Sequence, residues 1–213
     1  MAHSAAGSDF SERPGDRRTR RAHAYPAQYW FAATSWSPSC PDPRHAEVAA
    51  MLIIREIKPS DLVVSVELDP YVPIAVRTFA KPIGAVFYRV GNFETSLVEV
   101  PIDPLSGTVR GIKLVSVDRV GVDFDDSTLA VLQGLPITSE EFIPPKRYVD
   151  DKREVTVSLA GDRLVIDWSG GQQLDTKSVL GRLSFLIGGG FLFGAVIDSL
   201  SQAERKSLCV HLK

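Results

Sequence analysis

Apolar and polar residues alternate along most of the chain after residue 50. Side chains two positions apart share one face of a β-strand, so this period predicts strands. The alternation is clear at 97–102, where Val98, Val100 and Ile102 fall on one face. Turn residues at 103–107 (DPLSG) and a second alternating run at 108–117 follow, which predicts a hairpin. The apolar positions of the returning run shift by one residue after Leu114, as a β-bulge requires.

Two more hairpins are predicted further along the chain. One occupies 155–168 around the tight turn 160–162 (AGD), and the other occupies 181–197 around the glycines 188–190. Short turns join antiparallel neighbours, because parallel strands need much longer crossovers. We therefore expect an α+β, strand-dominated fold whose strands form a single, mainly antiparallel layer with one or two short helices.

The helix signals are few. The sequence Ser201-Gln202-Ala203-Glu204 fits a capping box and predicts a short C-terminal helix. A second short helix is predicted to begin near Asp126 or Ser127 and to end before Gly134. Residues 136–150 contain three prolines and are predicted to form a loop.

The first fifty residues differ from the rest of the chain. Six arginines against five acidic residues give this segment +1, which leaves −3 for the remainder of a chain that carries −2 in total. Five of the fourteen prolines lie here, and the region has no strand-like pattern. We expect residues 1–50 to be a disordered tail, or translation to start at Met51, and residues 51–213 to form a single β-rich domain. The segment has neither the apolar core of a secretory signal nor the low acid content of a transit peptide.

Composition narrows the range of partners and compartments. No apolar run reaches the roughly 18 to 20 residues that span a bilayer, so no membrane partner is expected. The two cysteines, Cys40 and Cys209, lie far apart and do not indicate a structural disulfide, which favours a cytoplasmic location. The charge balance offers no basic patch for nucleic acid.

Acidic residues concentrate between residues 118 and 151. Eight acidic residues against three basic ones give this segment −5. A docking face for a basic partner, a divalent-cation site and a solvated loop are all compatible with the cluster. The run at 123–126 (DFDD) lacks the glycine and the final glutamate of an EF-hand loop, which disfavours the cation site. The residues predicted to bind a partner are Asp123, Asp125, Asp126, Glu140 and Glu141.

No catalytic, cofactor-binding or metal-binding residue is predicted. The only histidine after residue 50, His211, lies near the C terminus, where a catalytic base is hard to hold in place. No Gly-x-Ser-x-Gly motif is present, and the glycines at 188–190 lack the Lys and Ser or Thr of a phosphate loop. Cys209 is expected to be a small buried apolar side chain.

The first hairpin also carries a family resemblance. Residues 93–115 (FETSLVEVPIDPLSGTVRGIKLV) resemble a segment of small bacterial immunity proteins that neutralise polymorphic or contact-dependent toxins. The resemblance implies a non-enzymatic, cytoplasmic protein that occludes a nuclease-like toxin. A nuclease surface that holds phosphates is basic, so the acid-rich segment would be complementary to it.

Two alternatives stay open at this stage. One is a small-ligand binder or enzyme that uses a pocket on the concave face of a curved sheet. The other is an interaction subunit whose sheet edge pairs with a strand of its partner.

Overall fold

The computed structural model describes residues 51–78, 84–121, 124–139 and 147–212. The predictions for residues 1–50 lie outside the described residues. The strands of the described part are β1 (Ile54–Lys58), β2 (Ser65–Asp69), β3 (Val72–Arg77), β4 (Val86–Gly91), β5 (Leu97–Ile102), β6 (Gly111–Ser116), β7 (Ala130–Gln133), β8 (Leu135–Thr138), β9 (Tyr148–Lys152), β10 (Thr156–Ala160), β11 (Arg163–Asp167), β12 (Thr176–Leu180), β13 (Leu183–Gly188) and β14 (Phe191–Ile197). A helix, α1 (Gln202–His211), follows the last strand. Within these ranges no helix has the length and apolarity that a bilayer crossing needs.

The strands form two large sheets and one small one. The N sheet has the order β2-β3-β6-β5-β4-β9, the C sheet has the order β10-β11-β14-β13-β12-β7, and β1 pairs with β8. All neighbours are antiparallel except β4 with β9 and β12 with β7. The strand-dominated, mainly antiparallel fold is therefore confirmed. The expectation of one layer was wrong, because the chain divides its strands between two six-stranded sheets.

The three predicted hairpins are present. They correspond to β5–β6, β10–β11 and β13–β14. Leu97 pairs with Ser116 and Val98 pairs with Leu114, so Val115 is the extra residue of a bulge. The bulge lies where the apolar pattern of the sequence shifts by one residue.

The two sheets share one strand arrangement. In the N sheet the hairpin β2–β3 is joined by the meander β4–β5–β6, whose last strand lies beside β3. The C sheet has the same arrangement: the hairpin β10–β11 is joined by the meander β12–β13–β14, whose last strand lies beside β11. The last strand of each meander contains a glycine at a crowded position. A Cβ on Gly111, the first residue of β6, would collide with the Val76 carbonyl oxygen, and a Cβ on Gly194, in the middle of β14, would lie 2.7 Å from the Ile166 carbonyl oxygen.

The connection between the meanders exchanges the outer strands. β7 follows the N-sheet meander but joins the edge of the C sheet, beside β12. β9 precedes the C-sheet hairpin but joins the edge of the N sheet, beside β4. Each sheet is therefore completed by a strand from the segment that links the two halves of the fold.

One hydrophobic core draws buried side chains from both sheets, including Tyr88 of β4, Phe185 of β13 and Trp168 after β11. The opposite face of the C sheet carries a smaller cluster of Val165, Leu186 and Val196, packed against Phe124, Leu129 and Leu174. The segment 124–129 therefore covers part of the outer surface of the C sheet.

The C-terminal helix is confirmed. Ser201 accepts a hydrogen bond from the Glu204 backbone N–H, and the Glu204 carboxylate accepts one from the Ser201 backbone N–H. Arg182 pairs with Glu204 at 2.8 Å, and Leu208 is buried in the shared core. The helix is thus held both by its cap and by packing.

Two predictions about the central segment were wrong. Residues 127–132 do not form a helix, because 130–133 extend as β7 and pair with β12. A helix limited to two turns by Gly134 and Pro136 gains few backbone hydrogen bonds, so pairing with an existing sheet is favoured. The prediction of a loop at 136–150 was partly wrong as well, since β8 ends within this range at Thr138 and β9 begins within it at Tyr148.

Candidate functional site

The predicted partner-binding residues take different roles. Asp123, Glu140 and Glu141 lie outside the described residues. Asp125 is exposed, and its carboxylate accepts a hydrogen bond of 2.9 Å from the Ser127 backbone N–H. This bond, together with the Ser127 side chain, lowers the pKa of Asp125 below its ordinary value, so the group is ionised at neutral pH.

Asp126 has a structural role instead. It is only 9% exposed, and its Oδ2 accepts a hydrogen bond of 2.6 Å from Lys177 Nζ while Arg163 pairs with the same oxygen. Burial raises the pKa of Asp126, but the bonds from Lys177 and Arg163 outweigh burial and lower it overall. Asp126 therefore anchors the segment 124–129 to the C sheet, and its carboxylate is largely covered by Lys177 and Arg163.

The last two acids of the segment are also engaged within the protein. Asp150 forms two hydrogen bonds with Arg89, of 2.7 and 2.8 Å. Asp151 is fully buried, and its Oδ2 accepts hydrogen bonds from the Tyr88 hydroxyl and from Arg153 Nε. Of the five acidic residues of this segment that the structure describes, Asp126, Asp150 and Asp151 thus pair with nearby cations.

Between these acids lies an exposed edge strand. All four residues of β7 are exposed, and Val131 and Leu132 retain 54% and 48% of their accessible surface. β7 ends the strand order of the C sheet. An exposed apolar edge is a site where another strand can pair.

The backbone of β7 shows which groups face outward. The N–H groups of Ala130 and Gly134 donate to the carbonyls of Asp175 and Val179, each at 2.9 Å. Backbone groups alternate in direction along a strand, so the N–H and C=O of Val131 and Gln133 point away from β12. Within the part of the chain that the structure describes, no strand pairs with this side of β7.

A cavity of about 310 Å³ lies at a separate place in the fold. It is lined by Met51, Arg153, Gln172, Gln173, Gly188, Gly189, Phe191 and Phe193. The turn between β13 and β14 forms one side, and Arg153, which follows β9, forms another. This site could not be predicted from the sequence, because its residues come from four distant parts of the chain.

Arg153 is held firmly at the edge of this cavity. Its Nε donates a hydrogen bond of 2.8 Å to Asp151, and its guanidinium carbon lies 5.5 Å from the centre of the Phe193 ring. Asp151 is fixed in turn by the Tyr88 hydroxyl at 2.7 Å. Burial first, and then the bond to Asp151, raise the pKa of Tyr88 well above its ordinary value, so this hydroxyl stays a donor at any physiological pH.

Among the described residues, no three His, Cys, Asp or Glu side chains come close enough together to hold a metal ion. Cys209 is exposed on α1, so the expectation that it is buried was wrong. No protein-family model matches the chain, and no curated protein sequence matches it.

Proposed function

We propose that this protein is a non-enzymatic binding protein, an immunity protein that neutralises a basic, nuclease-like bacterial toxin. The observation that carries the proposal is the exposed apolar strand β7, which lies within the acid-rich segment 118–151. The resemblance of residues 93–115 to immunity proteins supplies the class of partner.

β7 offers two kinds of contact to a toxin. The outward backbone groups of Val131 and Gln133 are suited to hydrogen bonds with an added strand, and the exposed side chains of Val131 and Leu132 supply apolar area. An extended segment of the toxin that pairs here would lengthen the C sheet by one strand.

Acidic residues near β7 would guide the encounter. Asp125 lies six residues before Val131 and is exposed and ionised. In the sequence, β7 and β8 are preceded by Asp123 and followed by Glu140 and Glu141, and these three acids complete the proposed rim. Asp126 is left out of this rim because Lys177 and Arg163 already engage it. Opposite charges on two surfaces accelerate association and orient the partners.

Neutralisation in cells tests the proposal. The probe is the C-terminal domain of the protein encoded directly upstream of the gene for this chain. We call this probe the toxin domain. We expect its induction in a bacterial host to stop growth, and co-expression of the full chain to restore it. The proposal would be overturned if the toxin domain did not stop growth. It would also be overturned if growth stayed arrested when the full chain is present at a normal level.

The cavity beside Arg153 supports the other function that the sequence left open, the binding of a small ligand. Its position, formed by the β13–β14 turn and the residue after β9, does not include β7. The two activities are therefore separable by substitution.

A further inference from the structure

We propose that the cavity beside Arg153 binds a small organic acid, whose carboxylate pairs with the Arg153 guanidinium and whose apolar body rests against Phe191 and Phe193. This site is independent of the proposed toxin contact at β7. The proposal rests on the shape of the cavity and on the state of Arg153.

Arg153 presents a ready binding group. Only its Nε is engaged by a carboxylate, at 2.8 Å from Asp151, and the two terminal nitrogens form no hydrogen bond within the described part of the chain. The side chain is 20% exposed and forms part of the cavity wall. Because Asp151 and the Phe193 ring already fix the guanidinium, little side-chain freedom is lost when a ligand binds.

The guanidinium favours a carboxylate. Its planar, forked donors match the two oxygens of a carboxylate in a bidentate pair. The neighbouring charges disfavour a doubly charged phosphate: Asp151 lies behind the guanidinium, and Asp175 accepts a hydrogen bond of 2.8 Å from the backbone N–H of Gly189, a residue of the cavity wall. A singly charged acid is therefore the better match.

The walls fit the rest of such a molecule. Met51, Phe191 and Phe193 supply apolar surface, and the two phenyl rings lie 6.3 Å apart at an angle of 47°. The exposed amides of Gln172 and Gln173 add polar groups at the rim. A cavity of about 310 Å³ leaves room for a molecule of the size of benzoate or hexanoate.

Ligand titration followed by NMR tests the site. The probes are benzoate and hexanoate, with benzamide as the uncharged match of benzoate and phenyl phosphate as the doubly charged match. We expect saturable shifts of the Gly188 and Gly189 amide signals with both acids, weaker binding of phenyl phosphate, and no saturable shift with benzamide. Equal binding of benzamide and benzoate, or no saturable binding of either acid, would overturn the proposal.

Substitutions separate binding from folding. Arg153→Gln should weaken benzoate binding by about ten- to a hundredfold, as expected when a charge-assisted pair is removed. This change leaves Asp151 buried without its cation, so the double variant Asp151→Asn with Arg153→Gln serves as the second test, since it leaves no unpaired charge. Arg119→Gln, which alters an exposed ion pair with Glu154, is the matched control and should bind benzoate like the parent. Unchanged benzoate binding by the double variant would also overturn the proposal.

Discussion

Asp126 joins a surface segment to a sheet through one carboxylate. Lys177 of β12 and Arg163 of β11 both contact it, and Phe124 and Leu129 pack on the outer face of the C sheet on either side of it. A carboxylate that is ionised more readily in the folded than in the unfolded protein makes folding depend on pH. Asp126 should therefore dominate the acid sensitivity of this region.

The sign of this effect follows from the lowered pKa of Asp126, whose ordinary value is 3.8. Above about pH 5 the carboxylate is ionised in both states and its stabilisation is complete; as the pH falls below 3.8, the unfolded state binds protons first and the stabilisation is lost. We expect Asp126→Asn to lower the free energy of unfolding by roughly 1–3 kcal/mol at pH 7 and to flatten its decline in acid.

Denaturant unfolding at a series of pH values measures this. Asp125→Asn is the control, because Asp125 is exposed and an asparagine can still accept the bond from Ser127. If both substitutions changed the unfolding curves equally, the structural role assigned to Asp126 would be wrong.

Single residues differ in how far the sequence reveals their roles. The bulge at Val115 and the cap at Ser201 follow from neighbouring residues, and the structure confirms both. The role of Asp126 depends on Lys177, 51 residues away, and on Arg163. Its position in an acid-rich run indicated a surface contact, because the sequence does not show which cations come near.

β7 is the element on which the proposed toxin contact depends. Val131→Lys places a charge on the exposed edge strand, and we expect it to weaken binding of the toxin domain at least about tenfold, since strand addition relies on backbone pairing and apolar contact. Val63→Lys is the matched control, because Val63 is 79% exposed and lies outside the strands. Calorimetric titration gives both affinities, and equal loss in the two variants would count against β7.

Asp125 should affect the rate of binding more than its strength. We expect Asp125→Lys to slow association with the toxin domain and to reduce the effect of salt on that rate, because it removes part of the attraction between the surfaces. Asp61→Lys is the control, because it changes the net charge by the same amount at another exposed position. Stopped-flow measurements at several salt concentrations compare the two variants, and identical rates would remove Asp125 from the rim.

The hairpins were predictable and the two parallel edge strands, β7 and β9, were not, for a physical reason. A hairpin is specified by its turn and by the alternation of its two strands, all within about twenty residues. β7 and β9 pair in parallel with β12 and β4, which lie far away in the sequence, so their extended form depends on the assembled sheets. Local capping residues near Ser127 therefore predicted a helix where tertiary pairing gives a strand.

At the scale of the whole molecule, the exchange of β7 and β9 ties the two sheets together. Each sheet takes its outer strand from the segment that links the two halves of the chain, and both sheets contribute to one core. We expect a single cooperative unfolding transition. Amide exchange of Val100 in β5 and Phe185 in β13 should give the same free energy of opening at moderate denaturant. Two clearly different values would show that the sheets unfold separately.

The fold also places the two proposed binding sites on separate residues. The β7 edge and the Arg153 cavity are built from different residues, with the exposed strand in one and the β13–β14 turn in the other. We expect Val131→Lys to leave benzoate binding unchanged and the double variant of Asp151 and Arg153 to leave growth protection intact.

Hydrogen exchange of the complex with the toxin domain examines strand addition at β7 most directly. We expect the amides of Val131 and Gln133, which point outward in the free protein, to exchange much more slowly when the toxin domain is bound, while Ala130 and Gly134, already bonded to β12, change little. Unaltered exchange of Val131 and Gln133 in a fully formed complex would show that the toxin binds elsewhere.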